Sequence, residues 1–302
     1  MTSEGQAGRG AERGDLWAAA TGQAGRWIGL NLAAPRTWCG PSWAFLGGLI
    51  ASGDVPVSLR SLVVLVVAWV VCEPLLGTLL ALSLEIARVR QSYTVELPEP
   101  PQLKLPYAQP GAPGQRLLGR LVRWAAQVNA DWRATEGLAD RWLLLALLGL
   151  VLSAVVGGWV PLLVLLALIV FGAAGAGRPL ATSTRDALAA GQFLVAWLVG
   201  RAAFLAPDYL VVLVGLGFAV TWYAWTRRPP QTRAIASVHV LLAGLLAVVH
   251  VPLSAGAVLL LAVPLLLFTP EGPSSQRTYL QQTQAYLMLS VLAAAWGLAW
   301  AY

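Results

Sequence analysis

Long apolar runs separated by short polar stretches extend over most of the chain. A helix of about 18–20 apolar residues crosses a bilayer and satisfies its own backbone hydrogen bonds, so each long run predicts a membrane span. The predicted spans are residues 37–53, 60–82, 142–158, 160–176, 188–206, 208–226, 234–250, 253–268 and 280–301. The pattern therefore predicts an all-α integral membrane protein with nine transmembrane helices.

The distribution of lysine and arginine agrees with this number of spans. With nine spans, 18 of the 20 lysines and arginines fall on the side of the N-terminus, and only Arg60 and Arg201 fall on the other. Lysine and arginine are enriched in cytoplasmic loops. The chain is therefore predicted to lie in the inner, cytoplasmic membrane of the cell, with its N-terminus in the cytoplasm and its C-terminus outside.

Composition supports a membrane protein and argues against a nucleic-acid partner. Only 11% of the 302 residues are charged, compared with about 25% in soluble domains, so membrane lipids are expected to cover most of the surface. The net charge of +6 is spread over several segments, as the topology and an attraction to anionic lipid would require. The two cysteines, Cys39 and Cys72, form no metal-binding pattern and are interpreted as buried small residues.

The chain divides into a cytoplasmic N-terminal arm, residues 1–36, and a membrane domain, residues 37–302, with a long cytoplasmic loop at 83–141. The first part of the loop is rich in proline, which favours extended, irregular chain. Leu117 then begins an apolar series at helical spacing that ends at Trp132. This series predicts a helix lying on the membrane surface, or alternatively a docking helix for another membrane subunit.

The residues around the first span form a signature. They read Pro35-Arg36-Thr37-Trp38-Cys39-Gly40-Pro41, then Trp43-Ala44-Phe45, Gly47-Gly48 and Ser52-Gly53. This run of about twenty residues resembles the first-helix signature of the chlorophyll and bacteriochlorophyll synthase branch of the UbiA prenyltransferase superfamily. The pair Gly77-Thr78 resembles the family's run into its first catalytic motif, and the segment from Glu271 to Tyr279 resembles its tail. The resemblance implies a UbiA-like bundle of helices around a central cavity.

The chain departs from this family at the residues that carry its chemistry. The family's first motif, Asn-Asp-x-x-Asp-x-x-x-Asp, would place its asparagine on Ser83 and its aspartates on Leu84, Ala87 and Gln91. Residues 226–233, where the second motif belongs, contain no carboxylate. Family members hold a prenyl diphosphate through Mg²⁺ and these aspartates, and Mg²⁺ requires hard oxygen ligands. No metal site is therefore predicted, Mg²⁺ binding is doubtful, and a degenerate, non-catalytic protein is expected.

Glu73 and Glu85 are the candidate catalytic residues if prenyl transfer remains. Glu73 precedes Pro74 inside a predicted span, where a charged carboxylate costs about 2.5–3.5 kcal/mol on insertion scales. Glu73 is therefore expected to be neutral or paired, and structural hydrogen bonding is the alternative to a functional role. Asp131 and Glu136 in the long loop are further acids, interpreted as solvated surface charges.

Four arginines are candidates for a metal-free anion site, because a guanidinium binds phosphate oxygens as a planar fork. They are Arg88, Arg227, Arg228 and Arg233. The alternative is that these arginines only follow the excess of positive charge in cytoplasmic loops.

His239 and His250 are candidates for pigment binding. They lie eleven residues apart, about three helical turns, so they are predicted to share one face of the seventh span. A neutral imidazole is a common axial ligand for the metal of a tetrapyrrole such as (bacterio)chlorophyll. The alternative is a structural histidine inside the bundle.

Three functions remain open at this point. The first is a non-catalytic UbiA-type protein that binds an isoprenoid or a tetrapyrrole pigment, or serves as a subunit of a photosynthetic membrane complex. The second is an active UbiA-type prenyltransferase with a rewired site. The third is a transporter or scaffold unrelated to UbiA, for which an intramembrane carboxylate would suit proton coupling.

Overall fold

A computed structural model describes residues 40–53, 55–92, 117–123, 126, 135, 137–176, 181–227, 229–268 and 276–301. All regular structure in these ranges is helical. In chain order the elements are α1 (Pro41–Ile50), α2 (Leu59–Val70), a π-helical turn (Val71–Leu75), α3 (Leu76–Ser92), α4 (Leu138–Val156), α5 (Val160–Ala176), α6 (Thr182–Ala202), α7 (Tyr209–Thr226), α8 (Thr232–Val248), α9 (Pro252–Leu267) and α10 (Gln276–Trp300).

The helices confirm the prediction of an all-helical membrane protein. Four stretches are long and apolar enough to cross a membrane, namely Leu59–Arg90, Leu138–Val156, Tyr209–Thr226 and Thr278–Trp300. Pro41–Ile50, Val160–Ala176, Thr232–Val248 and Pro252–Leu267 are shorter apolar helices. Large apolar side chains point outward along these elements, for example Leu147, Val155 and Ile169. These outward residues form the surface that contacts membrane lipid.

Helical structure extends into both ends of the predicted loop at 83–141. Helix α3 continues to Ser92, and α4 already begins at Leu138. Ala87 is buried, and α3 packs along α5. The cytoplasmic position of the loop stays a prediction. Between these helices, residues 117–123 are helical, as predicted from the series that begins at Leu117. The rest of that series lies outside the described residues, as do Asp131 and Glu136.

The helices form two groups that meet at α1 and α6. Helices α2, α3, α4 and α5 pack on one another around the π-helical turn, whereas α7, α8, α9 and α10 pack in succession, with α10 also contacting α7. Helix α6 packs on α5 in the first group and on α7 in the second, and α1 packs on α6 and α10. Trp197 of α6 and Phe218 and Trp225 of α7 are fully buried and form an aromatic core where α6 meets the second group.

Glycine allows α1 and α6 to approach to backbone contact. A methyl group at Gly48 would overlap the carbonyl of Trp197, and one at Gly200 would overlap the carbonyl of Phe45. Membrane helices use small residues in this way, since close approach of backbones adds van der Waals contact that lipid cannot replace. The Gly47-Gly48 pair of the first-span signature therefore has a packing role in this structure.

Arg201 binds the C-terminal end of α1, where α1 packs against α6. Its guanidinium donates to the carbonyl of Ala51, which ends α1. It also pairs with Asp208 at 3.1 Å, and Asp208 caps α7 by accepting from the Val211 N–H at 3.0 Å. Arg201 is only 2% exposed. One buried arginine thus joins the ends of α1 and α6 to the start of α7.

Candidate functional site

Glu73 lies in the π-helical turn that interrupts the long helix Leu59–Arg90. Its Oε2 atom accepts a hydrogen bond from Ser42 Oγ at 3.1 Å. The same hydroxyl oxygen accepts from Trp69 Nε1 at 3.0 Å. A chain of two hydrogen bonds therefore links the carboxylate to α1 and back to α2. The sequence identified Glu73 but missed Ser42 and Trp69, because nothing in their spacing relates them to it.

Pro74 explains why the helix widens at this point. Proline has no N–H to donate and its ring crowds the preceding turn, and such positions are common sites of π-helical turns and kinks. The N–H of Leu76 donates to the carbonyls of Val71 and Glu73. The carbonyl of Cys72 between them accepts instead from Gln192 Nε2 of α6 at 3.3 Å. The irregular backbone is therefore satisfied by a neighbouring helix, as a non-helical turn in a membrane requires.

Helix α1 begins beside this turn. It has ten residues, which corresponds to about 15 Å, or half the hydrocarbon thickness of a bilayer. Ser42, which contacts Glu73, is the second residue of the helix. The positive end of the α1 dipole therefore lies next to the Glu73 carboxylate, an arrangement that stabilises negative charge.

Glu85 does not belong to the same site. It lies twelve residues beyond Glu73 on a continuous helical stretch, which places it about 18 Å away along the axis. It pairs with Arg88 at 3.7 Å, on a solvent-accessible part of α3. One small reacting centre cannot include both glutamates, so the two candidate catalytic residues belong to separate environments.

The four candidate anion-binding arginines are not brought together in the described residues. Arg88 lies on α3, which packs on α4, α5 and α6, whereas Arg227 and Arg233 flank the turn between α7 and α8. Arg227 lies over the ring of Tyr223 at 5.2 Å, and Arg233 is exposed. Arg228 lies outside the described residues. The positions of Arg227 and Arg233 leave a local anion site at this turn as a prediction.

His239 is buried in the middle of α8. Its Nδ1 atom lies 2.9 Å from the carbonyl oxygen of Ile235, so Nδ1 carries the proton and donates to that acceptor. The other ring nitrogen, Nε2, is buried and has no hydrogen-bond partner among the described residues. The ring of Phe218 on α7 meets the imidazole edge-on, with the ring centroids 6.2 Å apart. His239 thus presents an unprotonated nitrogen to the inside of the second helix group.

Two hydroxyl groups without partners lie at neighbouring levels of this group. Thr221 Oγ1 on α7 and Ser290 Oγ on α10 are buried, and within the part of the chain that the structure describes they make no hydrogen bond. The hydrogen bond from Trp225 Nε1 to Thr283 Oγ1, at 2.8 Å, fixes the alignment of α7 with α10. Phe218 lies seven residues before Trp225 on α7, and Ser290 lies seven residues after Thr283 on α10. Ser290 is therefore at the level of Phe218, against which His239 packs. The signal for these hydroxyls was present in the sequence as polar residues inside apolar runs.

His250 does not share a helix face with His239, so that prediction is wrong. Helix α8 ends at Val248, and His250 is an exposed turn residue with φ of +64°. Val251 caps α9, and Pro252 is its first residue. The residue before a proline avoids the helical conformation, so α8 cannot continue through this point. The count of eleven residues assumed one uninterrupted helix through this turn.

The positions of the family's first motif are packed in this protein. Ser83 is 1% exposed, donates to the carbonyl of Leu79 at 2.8 Å, and accepts from Trp142 Nε1 of α4 at 2.8 Å. Ala87 is also buried. Gln91 belongs to α3, but its side chain lies outside the described part of the structure. Within the ranges that the structure describes, there is no group of three or more His, Cys, Asp or Glu side chains that could hold a metal ion.

Comparison with known proteins gives no relative for this chain. No family model matches it, and neither a curated protein nor a solved structure does.

Proposed function

We propose that this chain is a non-catalytic membrane protein of the UbiA type that binds a tetrapyrrole pigment within the helix group α7–α10. The observation that carries this proposal is the buried, unpartnered Nε2 atom of His239. A buried acceptor without a donor costs about 1–3 kcal/mol, so its retention calls for a partner. With Nδ1 donating to a backbone carbonyl, a neutral imidazole leaves Nε2 as the acceptor that would ligate the metal of a tetrapyrrole.

The surroundings of His239 suit a large apolar ligand with a few polar groups. Binding sites of this kind combine aromatic walls with a small number of hydrogen-bonding groups. Phe218 provides an aromatic edge against the imidazole. Thr221 and Ser290 provide hydroxyl groups that are not used elsewhere and that can donate to ring substituents of a pigment. An isoprenoid chain has no group that could pair with Nε2, so it would leave that atom without a partner.

Two arrangements support the non-catalytic part of the proposal. Ser83 and Ala87, which stand where the family keeps an asparagine and an aspartate, are buried against α4 and α5. Glu73 and Glu85 are too far apart to form one diphosphate site, and Glu85 is already paired with Arg88. A rewired prenyltransferase would have to assemble its charge-neutralising groups elsewhere.

The topology belongs to the same proposal. In it, all nine predicted runs cross the cytoplasmic membrane, with the N-terminus inside and the helices surrounding a central cavity. Each run overlaps a helix in the described residues, and the last helix, α10, packs on the first, α1. Association with other subunits of a photosynthetic membrane complex is a further part of this proposal.

The test is the visible and near-infrared absorption spectrum of the protein, purified gently from its native membrane. We expect a stoichiometric tetrapyrrole band that is lost in His239→Leu. The matched control is His250→Asn, which should keep the band, since His250 is exposed and asparagine accepts its positive φ. A colourless wild-type protein, or an equal band in both variants, would refute pigment binding through His239. Mg²⁺-dependent prenylation of chlorophyllide by the colourless protein would instead establish the rewired enzyme.

A further inference from the structure

Glu73 lies in a part of the molecule that the proposed pigment site does not use. It is near the middle of the 32-residue apolar stretch Leu59–Arg90, where an ionisable side chain is costly and is a functional candidate by default. Its carboxylate is half-buried and accepts from Ser42 Oγ at 3.1 Å. No ion pair of Glu73 is found among the described residues.

Charged groups on the neighbouring elements lie at other levels. Helix α1 carries none, and the charged residues on the elements packed around the turn are Arg60, Glu85, Arg88, Arg90, Asp140, Arg141, Arg185, Asp186 and Arg201. Gln192 reaches the turn at Cys72, so Arg185, seven residues earlier, is about 10 Å away along α6. Trp142 reaches Ser83, which places the start of α4 about 15 Å from Glu73. Arg201 is bound at the other end of α1.

The carboxylate lies where the exposed side of the helix meets its packed side. Val66, seven residues before Glu73, is 47% exposed, whereas Leu80, seven residues after it, is 7% exposed. Glu73 itself is half-buried, and Ser42 of α1 covers its carboxylate.

We infer that Glu73 is a proton-binding site inside the membrane, and that proton binding there is coupled to the position of α1. The ionised carboxylate is favoured by the Ser42 hydroxyl and by the positive end of the α1 dipole. The neutral acid is favoured by the apolar surroundings and by the absence of a cationic partner among the described residues. Protonation removes the charge that attracts the start of α1, so uptake of a proton loosens this end of the helix. The inference does not depend on pigment binding.

The experiment uses the full-length protein in lipid nanodiscs and dicyclohexylcarbodiimide as the probe. The protonated carboxyl adds across one C=N bond of the carbodiimide, and the product rearranges to a stable N-acylurea with no other reactant. We expect mass spectrometry to find one adduct on the peptide that contains Glu73, increasing as the pH is lowered. Glu85, an ion-paired glutamate on the same continuous helical stretch, is the matched control and should remain unlabelled.

Three variants make the result decisive. Glu73→Gln should abolish the adduct and remove a pH-dependent infrared band of a protonated carboxyl, whereas Glu85→Gln should keep both. Ser42→Ala keeps Glu73 but removes the hydroxyl that donates to its ionised form. Labelling of Glu73 at a fixed pH should therefore rise several-fold in this variant. Labelling that is absent from Glu73 at every pH, or unchanged in Ser42→Ala, would overturn the inference. Loss of pigment in His239→Leu with normal labelling of Glu73 would separate the two sites.

Discussion

Replacing Arg201 with methionine should strongly destabilise the protein, although Arg201 is far from both candidate sites. Arg201 is 2% exposed, and its guanidinium has two acceptors on different helices. One is the Ala51 carbonyl at the end of α1, and the other is Asp208 Oδ2 at 3.1 Å. Methionine keeps much of the side-chain volume but leaves both acceptors without their donor.

The size of the effect follows from these contacts. Removing one partner of a buried ion pair costs about 3–5 kcal/mol, because the other charge is left unpaired. Asp208 is 25% exposed in its side chain, so water can solvate part of that charge, and the lower end of the range is expected. A loss of about 3 kcal/mol corresponds to a fall in Tm of roughly 6 °C for a chain of this size.

Thermal unfolding in detergent, followed by intrinsic tryptophan fluorescence, measures this difference. The matched control is Arg60→Met, an exposed arginine at the start of α2, which should change stability by less than about 0.5 kcal/mol. Asp208→Asn preserves a good helix cap and removes only the charge. The double variant should therefore be clearly more stable than the sum of the single effects predicts. A Tm of Arg201→Met equal to that of Arg60→Met would refute the reasoning.

Two further predictions concern packing between helices. Gly48→Ala should lower the free energy of unfolding by about 1–3 kcal/mol or more, since its methyl group would meet the backbone of α6. Gly244 has open space around it, so Gly244→Ala should be neutral or slightly stabilising. The Tm of each variant tests this difference. Trp225→Phe should cost about 1–2 kcal/mol, because it removes the buried hydrogen bond to Thr283; Trp296→Phe, at an exposed tryptophan, should leave the Tm unchanged, and equal effects of the two would contradict the assigned role.

The helices could be predicted from the sequence because apolar runs fix both their positions and their contact with lipid. Each predicted span overlaps a helix of the structure. The end of α3 could not be predicted in this way, since residues after Ser83 are held in a helix by packing on α5. The true length of α1 also escaped prediction. Its start at Pro41 follows the preference of proline for the first turn, whereas hydropathy extended the span to residue 37.

The candidate sites could be predicted only in part, because polar contacts between helices depend on packing. Glu73 and His239 were identified as polar residues inside apolar runs. Ser42, which donates to Glu73, and Phe218, which packs against His239, come from other helices and are not near them in the sequence. The same holds for Gln192, which donates to the Cys72 carbonyl beside Glu73. The residues of the motif that resembles the chlorophyll synthases, from Pro35 to Cys39, lie outside the described residues, so that resemblance stays a prediction.

The two ends of α1 are held in different ways, and this difference determines which end can move. At its C-terminal end, Arg201 binds the Ala51 carbonyl, and Gly48 seats the helix against the backbone of α6. At its N-terminal end, Ser42 donates one hydrogen bond to Glu73, and the strength of that bond depends on the charge of the acid. Any motion of α1 that is driven by a proton should therefore pivot about Arg201 and open the turn at Glu73. In Arg201→Met the C-terminal end of α1 is no longer held, so its motion should no longer be confined to the end at Glu73. The Glu73 carboxyl should still take up its proton.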